Sequence, residues 1–151
     1  MESTSFVEQV SGILDLAHTL RQVVSYHARH CVGLTIDQVL VLRHLEQAGG
    51  GDTVSGLANG RLRANHTMTA MVRTLEKRGI VMRSRGPRGD QREVWVSLTS
   101  TGQEKVESFR GCVAEMVASF PTPPEVIMES LKRITEDLSG LLSLQPNRPE
   151  T

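Results

Sequence analysis

The sequence predicts a mainly α fold with a small β element, α+β in class, and three observations carry that prediction. Within residues 65–78, Met68, Met71, Val72 and Leu75 recur at i, i+3, i+4 and i+7, the spacing of one helix face, while His66, Thr67, Thr69, Ala70, Arg73 and Lys77 occupy the other. Just upstream, Val54 to Leu62 repeats Val54, Leu57, Ala58 and Leu62 on one side, and only Arg63 and Ala64 separate it from Asn65. Downstream, Ile80–Arg85 and Glu93–Leu98 read as strands, the second alternating Val94, Val96 and Leu98 with Glu93, Trp95 and Ser97. Between the strands lies a turn-forming, arginine-bearing loop from Gly86 to Arg92. Helix, short turn, helix and a hairpin with a basic tip is the order of a winged helix-turn-helix.

The flanking segments read as long helices. Val10, Ile13, Leu14, Ala17, Leu20, Val24, Ala28 and Cys31 recur every three or four residues, so a first helix runs from Phe6 to about Cys31, and Gly33 ends it. Thr35 caps a second helix with Ile36, Val39, Leu40, Leu42 and Leu45 inward, and the run from Gly49 to Asp52 terminates it. Asn65 reads as the cap of the basic-faced helix and Gly79 as its stop. Thr99 caps a further helix to about Phe120, striped by Val106, Phe109, Val113 and Val117, until Pro121, Pro123 and Pro124 break it. A last helix is expected from Pro124 to Leu144, and a loose tail over residues 145–151.

A chain of 151 residues suits a single domain. Within it, residues 35–98 form the winged lobe, and residues 1–33 and 99–144 form a helical region. The winged lobe cannot cover three additional apolar stripes of this length. The terminal helices are therefore expected to pack on a second copy, making a homodimer.

The chain is formally neutral, which alone argues against a nucleic-acid partner. The distribution of its charge argues the other way. Residues 61–92 hold nine Lys/Arg against two acids, a local net of +7 balanced by −7 elsewhere. Such segregation gives one attractive face for phosphates. The sequence carries neither a signal peptide nor an apolar run near the roughly 20 residues a span needs, so a cytoplasmic protein without membrane contact is expected. Cys31 and Cys112 are far apart and form no C-x-x-C, and no structural disulfide is expected in a reducing compartment.

At this point the chain resembles the MarR-type family of winged helix-turn-helix transcriptional regulators. The residues that carry the resemblance are Leu34, Thr35 and Gln38 with Leu42 and Leu45; Leu57 and Ala58; Leu75-Glu-Lys-Arg-Gly79; Arg83; Asp90-Gln-Arg92; and Leu98-Thr-Ser-Thr-Gly102. The resemblance implies a dimer with interlocked first and last helices. Its implied function is a regulator, read as a repressor, that binds a pseudo-palindromic stretch of double-stranded DNA and is released by a small-molecule effector.

Candidate DNA-contacting residues are Asn65, His66, Thr67, Thr69, Ala70, Arg73 and Lys77 on the second helix of the motif, with Arg63, Arg85, Arg88 and Arg92 around it. Arginine, histidine and threonine can reach base edges and phosphates in a major groove. The resemblance makes Arg88 the wing-tip probe of the minor groove, and Asp90 with Arg92 the pair that orders the loop. It also implies an effector crevice where the first, second and fifth helices meet the DNA-binding lobe, which nominates His27, His30, Cys31, Arg43 and His44.

No metal or cofactor is expected. His27-x-x-His30 has an allowed ligand spacing, but the helix after the wing adds only Cys112. Cys31 falls on the apolar stripe and is expected to be buried, which weakens it as a reactive thiol. No phosphate loop, carboxylate pair or nucleophile elbow points to an enzyme. Two alternatives stay open: a winged helix that binds protein, and a thiol-based redox-sensing regulator using Cys31.

Overall fold

The computed structural model describes residues 2–61, 64–85, 93–119, 121, 125, 126, 129, 130, 132, 133 and 136, with backbone only for residues 2–7, 9 and 10. Two compact units divide the chain, Met1–Val113 and Ala114–Thr151.

In the first unit a long helix α1, Glu2–His27, runs into a five-residue π-helical segment, Ala28–Val32. Gly33 ends it at φ 66°, a left-handed conformation that glycine adopts without a Cβ clash. Helix α2, Ile36–Gln47, begins with a complete capping box: the Thr35 hydroxyl accepts from the Gln38 amide, and the Gln38 side chain accepts from the Thr35 amide. Helix α3, Val54–Gly60, is capped by Thr53, whose hydroxyl accepts from the Gly56 amide at 2.9 Å. Helix α4 spans Asn65–Lys77 and buries Met68, Val72 and Leu75, three of the four apolar positions that define its stripe.

The sheet holds one strand more than expected. Besides β2 (Val81–Arg85) and β3 (Val94–Leu98), Gly51–Thr53 forms a short β1, and the antiparallel order is β1-β3-β2. Gly51 faces Ser97 and Thr53 faces Trp95 in the ladder. Three residues are too few for a period-2 pattern to register, and the glycine run reads as a break. The indole of Trp95 explains why glycine stands there: a Cβ on Gly51 would lie 2.5 Å from its nitrogen.

Helix α5, Ser100–Ala118, starts against the sheet. The Thr99 hydroxyl sits within 2.7 Å of the Gly79 carbonyl and 2.9 Å of the Ile80 carbonyl, and accepts from the Gly102 amide at 3.1 Å. A Cβ on Gly102 would come within 2.2 Å of the Ile80 carbonyl oxygen, so the Thr-x-x-Gly spacing reflects a close approach of helix and strand.

One core joins these elements. Leu34, Val39, Val41, Leu42 and Leu45 from the α2 region meet Leu57, Met68, Val72 and Leu75, with Ile80, Val81 and Val96 from the sheet and Val106 and Phe109 from α5. Each such aliphatic side chain stabilises the fold by about 1.5–3 kcal/mol relative to exposure.

Most of α1 contributes nothing to this core. Leu20 and Val24 are half-buried and Ala28 is fully buried, but Ile13 is 42% and Leu14 64% exposed despite lying on the stripe. The side chains of Phe6 and Val10 lie outside the described residues. In the second unit the described residues between 125 and 136 are helical, in keeping with the expected last helix. Its remaining positions and the tail 145–151 lie outside them.

Candidate nucleic-acid interface

Helix α4 presents two chemically distinct sides. Opposite its buried apolar stripe, Asn65, His66, Ala70, Arg73 and Lys77 are exposed, and Thr67 and Thr69 are half-buried. The Thr69 hydroxyl donates to the Asn65 carbonyl at 2.8 Å, which leaves its oxygen lone pairs as acceptors. Arg85 is exposed at the end of β2. Arg63, Arg88, Asp90 and Arg92 lie outside the described residues.

One expectation at the helix start needs correcting. Asn65 is the first residue inside α4, and Ala64 is its cap, extended at φ −66°, ψ 143° and without a side-chain hydrogen bond. The helix thus begins one position earlier than the polar side chain suggested. Helix α4 therefore starts without a side chain on its leading amides, the arrangement in which a helix end can take an external anion.

The far end of α4 is tied down by ion pairing and capping. Glu76 accepts from the Arg83 guanidinium at 2.7 Å, joining the helix to β2. The Arg83 hydrogen bond is the main reason the Glu76 carboxyl is held below its ordinary value. Arg78, which follows the helix, donates to the Gly33 carbonyl at 3.0 Å. Lys105 of α5 donates to the neighbouring Val32 carbonyl at 2.9 Å. Two cations thus converge on the carbonyl that ends the π segment and on that of its Gly33 cap, a favourable place for positive charge. Sequence reasoning overlooked Arg78 and Lys105 as joint residues, because their acceptors are backbone atoms far away in sequence.

The five effector-pocket candidates do not form one cluster. His44 is held by Asp52 of β1, Nε2 to Oδ2 2.8 Å, and its ring covers Gly60. Arg43 is exposed on α2. His30 stacks on Tyr26 with ring centroids 3.9 Å apart, in an open cleft of about 490 Å³ that also takes in His18, Arg21, Gln22 and Arg29. His27 and Cys31 belong instead to a second group with Cys112.

Here the structure overturns two expectations. Cys31 is exposed, since the π-helical segment turns it off the apolar stripe. It is also disulfide-bonded to Cys112, 81 residues away in sequence, with Cα atoms 6.6 Å apart. Packing of α5 across the end of α1 achieves what the sequence separation concealed. His27 Nδ1 lies 3.5 Å from the Cys112 sulfur. One ligand-type atom from each of the three residues falls within 4.8 Å of the others, but with the sulfurs joined the trio offers a metal only the imidazole.

Comparison with known proteins agrees with this geometry. Residues 34–94 match the MarR family. A curated relative from Bacillus subtilis (strain 168), an uncharacterized HTH-type transcriptional regulator named YdcH, is 43% identical over 53 residues, 35% of each chain, so the match spans about a third of that relative's length. The solved structure of the transcriptional regulator PA4135 is 29% identical with a TM-score of 0.68, over 90% of this chain and 97% of its own. A structure described as reduced AbfR bound to DNA is 20% identical with a TM-score of 0.71, over 94% of this chain and 99% of that one, a likeness of fold.

Proposed function

We propose that this protein, whose residues 34–94 match the MarR family, is a winged helix-turn-helix, DNA-binding transcriptional regulator of that kind: a homodimeric repressor of a pseudo-palindromic operator, released by a small-molecule effector. The observation that carries the reading is α4 itself. One side is buried in the lobe, and the other exposes Asn65, His66, Arg73 and Lys77 with nothing bulky between them. Arg73 and Thr69 are the base-reading candidates, and Lys77, Arg63 and Arg85 the phosphate contacts. Arg88 would probe the minor groove, with Asp90 and Arg92 ordering its loop.

A second copy is supported by α1, whose exposed Ile13, Leu14, Leu16 and Val23 lack cover within the chain's described residues. A two-fold dimer sets two copies of α4 about one DNA turn apart, which demands an inverted repeat. The crevice around His30, Tyr26 and Arg21 is where a small anionic or aromatic effector fits, and a related structure carries 2,4-dichlorophenol. Such a ligand releases DNA only by its differential affinity for the non-binding arrangement. Among the described residues no helix is long and apolar enough to cross a membrane, and a DNA regulator works in the cytoplasm.

The test is enrichment of bound duplexes from a random-sequence pool, followed by fluorescence anisotropy on the enriched duplex and on a scrambled one. Approximate inverted repeats should emerge. Arg73→Ala should weaken binding by about 1–3 kcal/mol while the dimer persists. A pool that never enriches, or an Arg73→Ala variant binding as wild type, would overturn the reading.

A further inference from the structure

We infer that Arg78 is a positioning residue for DNA recognition: it fixes α4 against the end of the long first helix and so selects the separation of the two operator half-sites. The inference rests on the regulator reading and its two-fold dimer. It assigns to one side chain a specificity that base contacts do not supply.

The acceptor of Arg78 is a fixed point. Ala28, Val32 and Leu34, around the Gly33 turn, are buried in the core. The Gly33 amide donates to the Arg29 carbonyl at 3.0 Å and the Leu34 amide to that of Ala28 at 3.3 Å, which closes the turn at its left-handed φ of 66°. Lys105 of α5 holds the adjoining Val32 carbonyl at 2.9 Å. The π segment leads from this turn straight back into α1, whose exposed Ile13, Leu14, Leu16 and Val23 belong to the proposed dimer face.

Arg78 reaches that point from the other side. It directly follows α4 and donates from Nη2 to the Gly33 carbonyl at 3.0 Å, across 45 positions of sequence. A Cβ on Gly33 would lie 3.7 Å from the same nitrogen, so the guanidinium rests against the turn itself.

A direction is what this bond supplies. Helix α4 meets the core through Met68, Val72 and Leu75, and apolar contact is non-directional. The Glu76–Arg83 pair orients the helix against β2, within the lobe. The Arg78 bond orients it against the end of α1, with a charged donor of the stronger kind. In a dimer joined through α1, the angle between α4 and α1 sets how far apart the two copies of α4 stand, and hence the spacing of the half-sites. Arg78 is exposed, so losing the bond should leave the fold intact.

The test is a set of duplexes carrying the enriched inverted repeat, with its half-sites moved apart or together one base pair at a time. Wild-type protein, Arg78→Met and Arg78→Lys are titrated against each by anisotropy over a salt series, with urea midpoints as the check on folding. The wild type should bind one spacing best. In Arg78→Met the preference for that spacing should fall by about twofold to thirtyfold, the range that residues between two sites ordinarily exert. The ranking of half-site sequences should stay. Arg78→Lys, which keeps a cationic donor, should retain most of the preference. A merely structural role would lower the urea midpoint and leave the spacing preference of the folded protein alone. A lost phosphate contact would weaken every duplex alike and make the salt slope shallower by about 0.9 per contact. Either result, or a wild type indifferent to spacing, overturns the inference alone. If Arg78→Met does not fold, Arg78→Gln takes its place. A wild type that enriches no inverted repeat overturns the regulator reading and the inference with it.

Discussion

Glu76 and Arg83 show how one ion pair can tie a helix, α4, to the neighbouring strand β2. The Arg83 guanidinium beside it holds the Glu76 carboxyl below the usual carboxylate range. A folded-state value below the unfolded one makes the stabilisation present above that pH and lost as pH falls through the folded value. Glu76→Gln should therefore lower the urea midpoint slightly at pH 7, and the gap from wild type should close as the pH falls through the lowered folded-state value. A gap that persists in acid would mean the carboxylate charge is irrelevant. Gly102 makes the complementary steric case. An added methyl would lie 2.2 Å from the Ile80 carbonyl, which cannot retreat because the Thr99 amide and hydroxyl also hold it. Gly102→Ala should destabilise by about 1–3 kcal/mol in chemical denaturation. Thr35, Gly33, Gly79 and Thr99 were legible in the sequence, because capping and left-handed turns select residue types locally. The glycine at 102 was legible only as part of a motif; its cause is a carbonyl 22 positions away.

Among the elements, α2, α4 and α5 followed their apolar periodicity, whereas the stripe of α1 stays largely exposed and the shortest strand left no pattern to read. The α4 stripe reached the core as Met68, Val72 and Leu75, since an amphipathic period states which side is buried. Val41 is buried although it lies off the α2 stripe, on a helix that packs against β3 and β1 as well as against α3. The start of α4 is where local preference and structure part, with Ala64 in a position that favours Ser, Thr, Asp or Asn. An unfilled cap on a helix proposed to meet phosphates is the kind of local violation that such a function would explain. Ala64→Ser should supply the missing acceptor and stabilise the protein by about 1 kcal/mol, read as a higher urea midpoint. An unchanged midpoint would mean that those amides are already satisfied.

At the scale of the molecule, segregated charge was readable without any structure and tertiary adjacency was not. Nothing in the spacing of Cys31 and Cys112 announces a bond, because α5 has to fold back over the end of α1 before the two sulfurs meet. The +7 stretch, by contrast, is contiguous in sequence and so can be counted without knowing the fold. It makes a demand on binding that differs from base reading. Each phosphate neutralised releases counterions, so log K falls linearly with log salt, with a slope of about −0.9 per phosphate contact. Lys77 sits at the end of α4, exposed and away from the helix start, where the proposed base contacts lie. In a two-fold dimer Lys77→Ala removes two phosphate contacts, so the slope should become shallower by roughly 1.8 while the preferred sequence stays the same. Arg73→Ala should do the reverse, relaxing the sequence preference more than the salt slope. Anisotropy titrations of both variants over a salt series, on matched and mismatched duplexes, separate the two behaviours. A Lys77→Ala protein with an unchanged slope would place the phosphate track elsewhere on the basic face.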